Sequence, residues 1–347
     1  MLTSKRIDGS DDPGSLFSQM VALGITDGLP VIPPTEPAVQ AMIDYVGLAP
    51  EQVIGTIPPA NGVATVEKVA INAVMAGCLP EYFPVVLAGM EAVVDPRFDL
   101  LGIQTTTNPV SPVFIVNGPI RGDIGVNCGR GCMGPGFRAN ATIGRAAKLA
   151  LLNIGGCRPG EISKSIHGMP GRFTFCFGEL EESSPWEPLH VELGYQKHES
   201  TISVVGGQGT QNMWCGFTTP EAIIHMVADG IRFYGSNGYL RGTGAPLLVI
   251  GPGHARIFDA AGWTKARIKQ ELFAMTALPL SQVPPQRQIS RPVYENWDRS
   301  RSINVCKSAD DIVVVVAGGS EPYHLCYVPS FTHPEHIIIK PIRLVRH

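Results

Sequence analysis

The sequence predicts an α/β or α+β fold, a mixed sheet carrying helices and joined by long Gly/Pro-rich loops. Three observations predict it. Wholly apolar runs at PVFIVNGP (112–119), PLLVIGPG (246–253) and DIVVVVAGG (311–319) read as buried strands, each leading into a glycine turn. Segments of helical spacing alternate with these runs. The 347 residues include 39 glycines and 30 prolines, too many for a helical bundle and enough to turn the chain often. The likeness of the strand runs makes related α/β units one way to build the sheet.

From the N-terminus, TDGLPVIPPTEP turns at Asp27-Gly28, and prolines at 30, 33, 34 and 37 hold it extended. It reads as an arm packed across the body, with a substrate contact by Asp27 as the alternative. Pro37 suits the first turn of a helix to Val46, capped near Thr35 or Glu36. Val66, Val69, Ala70, Ala73 and Val74 share one helical face, CLPEYFP breaks the helix, and VVLAGMEAVV forms the next. Residues 95–120 read as loop, strand, loop and buried strand. ANATIGRAAKLALLNIGG follows as a helix with Asn140 at its cap. FTFCF alternates as a strand with Phe173, Phe175 and Phe177 on one face. SVV enters a Gly-rich polar loop, and a helix starts with Pro220 at its first position. GPGHARIFDAAGWTKARIKQELF gives a turn, a helix and a second helix from Thr264. Residues 280–302 read as a polar surface connection. The division expected is an N-terminal part, 1–198, and a C-terminal part, 199–347, with one large domain as the alternative.

Hydrophobic residues make up 44% and charged residues 16%, which provides a core and argues against disorder. Net charge is −3 without a block of like charges, so no nucleic-acid surface is expected. No apolar run reaches membrane-spanning length and the first residues lack a signal-peptide core. Eight cysteines in a chain this long suit reduced thiols. The expectation is a cytoplasmic protein that meets no membrane, takes a small-molecule substrate and forms a homo-oligomer completing the rim of its pocket.

The chemistry concentrates in VNCGRGCMGPGFRANATIGR (126–145). A metal is one reading: Cys128 and Cys132 have C-x3-C spacing for zinc or an iron–sulfur centre, but the other cysteines are scattered singly. His333 and His336 lie three apart near the C-terminus. A disulfide between Cys128 and Cys132 requires the loop to fold back. GRGCMG matches the dinucleotide fingerprint in letters, yet seven residues separate it from the strand and more precede the helix. The anion reading fits better. Glycines aim backbone N–H groups at a ligand beside a helix N-terminus, Arg130 and Arg138 add donors, and the same field lowers a thiol pKa. Cys132 is then the preferred nucleophile and Cys128 the second. Close packing of a buried crossover is the structural alternative.

Other residues can complete this site. The stretch 164–190 holds His167, Arg172, Cys176, Glu179, Glu181, Glu182, Trp186 and His190. Of these, His167 is the acid–base choice and Glu179 its partner. The second Gly-rich loop supplies Gln208, Gln211 and Asn212 for substrate binding, with Asn140 and His254 facing the same pocket and Cys215 as a rival thiol. No G-x-S-x-G elbow supports serine chemistry. The motifs DGLPVIPPT, GPGFRANATIGRA, SPWEPLH and GPGHARIFDAAGW together resemble an uncharacterised bacterial protein family over most of the chain. That resemblance implies no activity, cofactor or catalytic residue. The reading is an enzyme of lyase or hydrolase type acting on a small anionic molecule through a cysteine thiolate, without a cofactor. The alternatives are a metal-binding or redox protein using Cys128 and Cys132, and a noncatalytic scaffold. The loops 128–140 and 206–215 are expected to share one electropositive cleft with His167 or His254.

Overall fold

The apolar runs become strands of two sheets packed face to face, each with helices on its outer side. A computed structural model describes residues 2–282, 298–331 and 336–344. In chain order, helices α1 (Pro13–Ala22) and α2 (Glu36–Val46) belong to the N-terminal arm. Thr35 stands at the N-cap of α2 and left-handed Gly47 closes it. A hairpin of β1 (Val53–Ile57) and β2 (Gly62–Thr65) leads into α3 (Val66–Ala76). The Thr65 side chain caps α3 by accepting from Lys68 N–H, which fixes where strand becomes helix. Then follow α4 (Phe83–Val93), α5 (Leu100–Thr105), β3 (Ser111–Asn117), α6 (Ile120–Asp123), α7 (Arg138–Asn153), β4 (Cys176–Gly178), α8 (Leu189–Glu192), β5 (Thr201–Gly207) and β6 (Gln211–Trp214). The remainder comprises α9 (Pro220–Ile231), α10 (Gly238–Arg241), β7 (Leu247–Ile250), α11 (Pro252–Ala260), α12 (Lys265–Met275), a small pair β8 (Leu278–Pro279) and β9 (Ser302–Ile303), β10 (Val313–Val316), β11 (His324–Val328) and β12 (Ile338–Pro341).

The first sheet has the order β12-β5-β3-β4 and the second β10-β7-β11-β6. Each contains one parallel pair, β3/β4 or β7/β10, followed by two antiparallel pairings. The two sheets therefore share one pairing pattern, and PVFIVNGP and PLLVIGPG occupy the same place in it. Their fourth strands are exchanged. β6 follows β5 in the chain but joins the second sheet, whereas β12 follows β11 and joins the first. The boundary considered near Glu199 falls inside the first sheet, because β5 pairs with β3 and β12 pairs with β5.

Two-sided burial explains why these strands are apolar at every position. Phe114 and Val116 face a core with α2, α3, α4 and α7, while Val113 and Ile115 face the second sheet. Val314 and Val316 pack toward α9, α11 and α12, while Val313 and Val315 meet the first sheet. Full burial of such a side chain stabilises by about 1.5–3 kcal/mol, so the intersheet layer binds both halves of the chain.

Local capping overrides the expected pattern in places. LLGIQT, expected as strand, is α5: Asp99 caps it by accepting from Gly102 N–H. Only Cys176–Gly178 of FTFCF pairs as strand. Phe137, and not Asn140, is the N-cap of α7. The connection expected over 280–302 falls mainly outside the described residues, as does His333. His336 instead pairs with Asp311, Nδ1 to Oδ1, at 2.6 Å. Among the described residues no helix is long and apolar enough to cross a membrane.

Candidate active site

The C-terminal ends of the parallel strands are where α/β sheets gather ligands, and here the two sheets are tied together at those ends. Leu180 N–H donates to Val316 O at 2.7 Å and Gly318 N–H to Cys128 O at 2.9 Å. β3 ends in Asn117-Gly118. Gly118 has φ +83°, and a Cβ there would lie 2.2 Å from Glu199 O, so only glycine permits this turn. The chain leaving β4 supplies Glu179, Glu181 and Glu182. α6 adds Arg121, the following loop Cys128, α8 His190, and the first turn of α12 Lys265.

These side chains form one buried charged cluster. Asn117 Nδ2 donates to Glu179 Oε2 at 2.7 Å and to Glu181 Oε1 at 3.0 Å. Leu189 N–H also donates to Glu179 Oε2, and Gly118 N–H to Glu181 Oε1, both at 2.7 Å. Arg121 Nε lies 3.0 Å from Glu181 Oε1 and its Nη2 2.9 Å from Glu182 Oε1. Its Nη1 reaches Cys128 Sγ at 3.6 Å. Lys265 Nζ donates to Glu187 O at 2.7 Å and to Glu192 Oε2 at 3.3 Å, and sits 3.6 Å from Glu179 Oε1. A cation at a helix N-terminus opposes the helix dipole, so these acids are what hold Lys265 there.

Several fully buried atoms in this cluster are left without hydrogen-bond partners: Glu179 Oε1, Asn117 Oδ1 and both ring nitrogens of His190. His190 Nδ1 faces Glu181 Oε1 at 3.9 Å, beyond hydrogen-bond range. Burial pushes the Glu179 carboxyl above its ordinary 4.5, outweighing the opposing effects of Lys265 and of donors from Leu189 and Asn117. Burial likewise raises the Cys128 thiol while Arg121 draws it down. Outside Glu181 lies a cavity of about 650 Å³, with Trp186, Glu187, Tyr195, Gln196 and Lys197 among its walls. Trp186 is fixed by donating its indole N–H to Trp263 O at 3.0 Å, which joins SPWEPLH to DAAGW.

The residues singled out from sequence divide between this cluster and elsewhere. Glu179 and Cys128 belong to it. Cys132 packs between the sheets with Phe175 and Val113, and burial pushes its thiol up to about 12. Its nearby backbone N–H groups act downward but lose to burial, so the thiol is not activated as expected. All eight cysteines are free, and burial raises every one. Asn140 ties the Gly-rich loop together: its Nδ2 donates to Asn127 O and Cys132 O, and its Oδ1 accepts from Asn127 N–H. Arg130 is an exposed partner of Glu321, and Arg138 donates to Gly77 O. Neither points to a shared electropositive cleft. Asp27 is gripped by Arg145 through two 2.8 Å hydrogen bonds, which anchors the DGLPVIPP arm to α7.

His167 is exposed in a loop fastened to Thr107 before β3, whereas Glu179 N–H bonds Val116 O at the far end of that strand. The expected pairing of the two is therefore not formed, and the histidine of this cluster is His190, which faces Glu181. His254 is buried in the outer core of the second sheet, with Nε2 2.9 Å from Cys215 O. Gln211 donates to Gly230 O and Gln208 to Ser330 O. Asn212 contacts His324 and pairs in register with Cys326, which packs against the same intersheet cluster as Cys132. The two Gly-rich loops thus approach one layer through packing. Cys128 and Cys132 serve different surroundings, and among the described residues no group of three or more His, Cys, Asp or Glu is arranged to hold a metal ion. Glu181, Glu182 and His190 stood in the sequence beside Glu179 without a mark to rank them. Asn117, Arg121 and Lys265 gave no local signal.

No protein-family model matches this chain, and no curated protein matches it.

Proposed function

We propose that the chain is an enzyme of lyase or hydrolase type that moves a proton on a small polar molecule held in the cavity beside Glu181. In this reading Glu181 faces the substrate, His190 relays the proton, and Glu179 stores it in a buried carboxyl. Lys265 and Asn117 position Glu179. Cys128, held by Arg121 in the same cluster, replaces Cys132 as the thiol nearest the chemistry. The observation that carries the proposal is the set of buried, unpartnered atoms on Glu179, Asn117 and His190. Natural interiors leave few such atoms, and a catalytic role or a bound water or ion is among their causes; here four of them meet in one cluster. The nearby Glu181 carboxylate adds to the rise of Glu179 that burial causes. Free thiols throughout suit the reduced, cytoplasmic setting included in this proposal.

The test is a screen of the purified protein against small esters, amides, lactones and hydroxy acids, read by NMR. Glu181→Gln and His190→Asn are each expected to lower turnover by about 10²–10⁴-fold, and Glu181→Gln also to lose stability because Arg121 then keeps only the exposed Glu182. Full turnover in both variants contradicts the proposal.

A further inference from the structure

The opposite end of β3 carries a second polar cluster of unlike composition. Residues 148–172 include four basic residues, Lys148, Arg158, Lys164 and Arg172, and one acid, Glu161. Lys148 projects from α7, and its Nζ donates to the hydroxyl of Ser111, the first residue of β3. Ser111 is fully buried and donates to Gly171 O at 2.9 Å. One residue on, Arg172 Nη2 donates to Ser163 Oγ at 2.7 Å. Among the described residues, no carboxylate forms an ion pair with Lys148 or Arg172. Burial, and after it the like charge of Arg172, push Lys148 well below its ordinary 10.5. An unpaired ammonium in such a place loses several kcal/mol of solvation. Among the described residues no acid offsets it, in contrast to Lys265.

We propose that Lys148 and Arg172 bind a small oxyanion, a carboxylate or a phosphate. The guanidinium fork grips two oxygens of a planar or tetrahedral anion, and the ammonium takes another as a point charge. Ser111 and Ser163 each accept from one of the cations and bring no negative charge to the site. Both long side chains are half-buried, so each keeps part of its surface open to solvent. The bound anion restores the ammonium that burial disfavours. This site stands apart from the Glu179 cluster and does not depend on the activity proposed there.

Isothermal titration of the full chain with inorganic phosphate, and separately with acetate, tests the site. One anion per chain is expected, and the better-bound probe distinguishes a phosphate ligand from a carboxylate one. Lys148→Met and Arg172→Gln should each weaken binding by roughly tenfold or more, the loss of one charge-assisted hydrogen bond. Lys148→Met is expected to keep or raise the unfolding temperature, since it removes an unpaired charge. If that variant fails to fold, Arg172→Gln, which alters a half-exposed turn, decides alone. No saturable binding of either anion by the unaltered chain overturns the proposal, as does unchanged affinity in Arg172→Gln.

Discussion

The two ends of β3 meet the same physical problem in opposite ways. At the C-terminal end, Lys265 and Arg121 are buried among Glu179, Glu181, Glu182 and Glu192. At the N-terminal end, Lys148 and Arg172 are set among serine hydroxyls. Desolvating a charge is offset by an opposite charge or is left for a ligand to offset. The first end is electrostatically closed but retains orphaned atoms suited to exchanging protons. The second end is open toward an anion. The contrast also separates two kinds of buried lysine, one structural and one awaiting a partner.

Replacing each lysine by methionine tests this contrast most strongly. Lys265→Met leaves Glu179 without its cation, while Glu192 keeps Lys269, and is expected to cost about 3–5 kcal/mol, the usual result of breaking a buried pair. Lys148→Met is expected to be neutral or stabilising in the absence of an anion. Urea unfolding of both variants measures the difference, and equal losses would dissolve the distinction between the two ends.

A smaller effect sharpens the closed end. A Cβ at Gly178 would lie 2.3 Å from Cys128 Sγ and 3.1 Å from Val126. Gly178→Ala should therefore destabilise by about 1–3 kcal/mol through overpacking. Cys128→Ala in the same chain should return part of that loss, and the double-mutant cycle reads the coupling. Additive losses would move Cys128 away from this cluster.

The pH dependence has two opposed parts. Because the folded pKa of Glu179 is raised, the folded state holds its proton longer than the unfolded chain. Stability then falls as pH rises from about 4.5 through the folded value, and Glu179→Gln removes that component. His254 is depressed, chiefly by burial, so its contribution is present above about 6.5 and is lost as pH falls through the folded value. Thermal unfolding across this range should show the Glu179 component vanish in Glu179→Gln while the His254 component stays. The smallest effect belongs to the Gly-rich loop. Arg130→Ala breaks an exposed pair with Glu321 and is expected to change stability by only about 0–1 kcal/mol. A larger loss would restore Arg130 as a site residue.

Much of the fold was legible because its cues are local. Pro220 opens α9, Thr264 caps α12, and the runs PVFIVNGP and PLLVIGPG become β3 and β7. β6, β11 and β12 escaped because their pairing depends on residues far along the chain. β12 reaches back to β5, and the exchange of fourth strands has no short-range mark. The hairpin β1/β2 was not read from the sequence. The candidate site was legible in part for the same reason. Glu179 and Cys128 stood out by position after a strand and between glycines. Lys265 reads as an ordinary surface lysine in a first helical turn until α12 is laid against SPWEPLH. Cys132 misled because its glycines predict exposure to a helix terminus, while the intersheet core buries it. Asn140, read as a ligand, spends its amide on holding the loop.

The proposed proton transfer rests on burial raising the Glu179 carboxyl above its ordinary 4.5. A titration of protein labelled with ¹³C at glutamate carboxyls, followed by NMR in the unaltered chain and in Glu179→Gln, measures it directly. The account predicts one resonance that titrates clearly above 4.5 and is missing from the variant. A Glu179 resonance that titrates at or below 4.5 would contradict it.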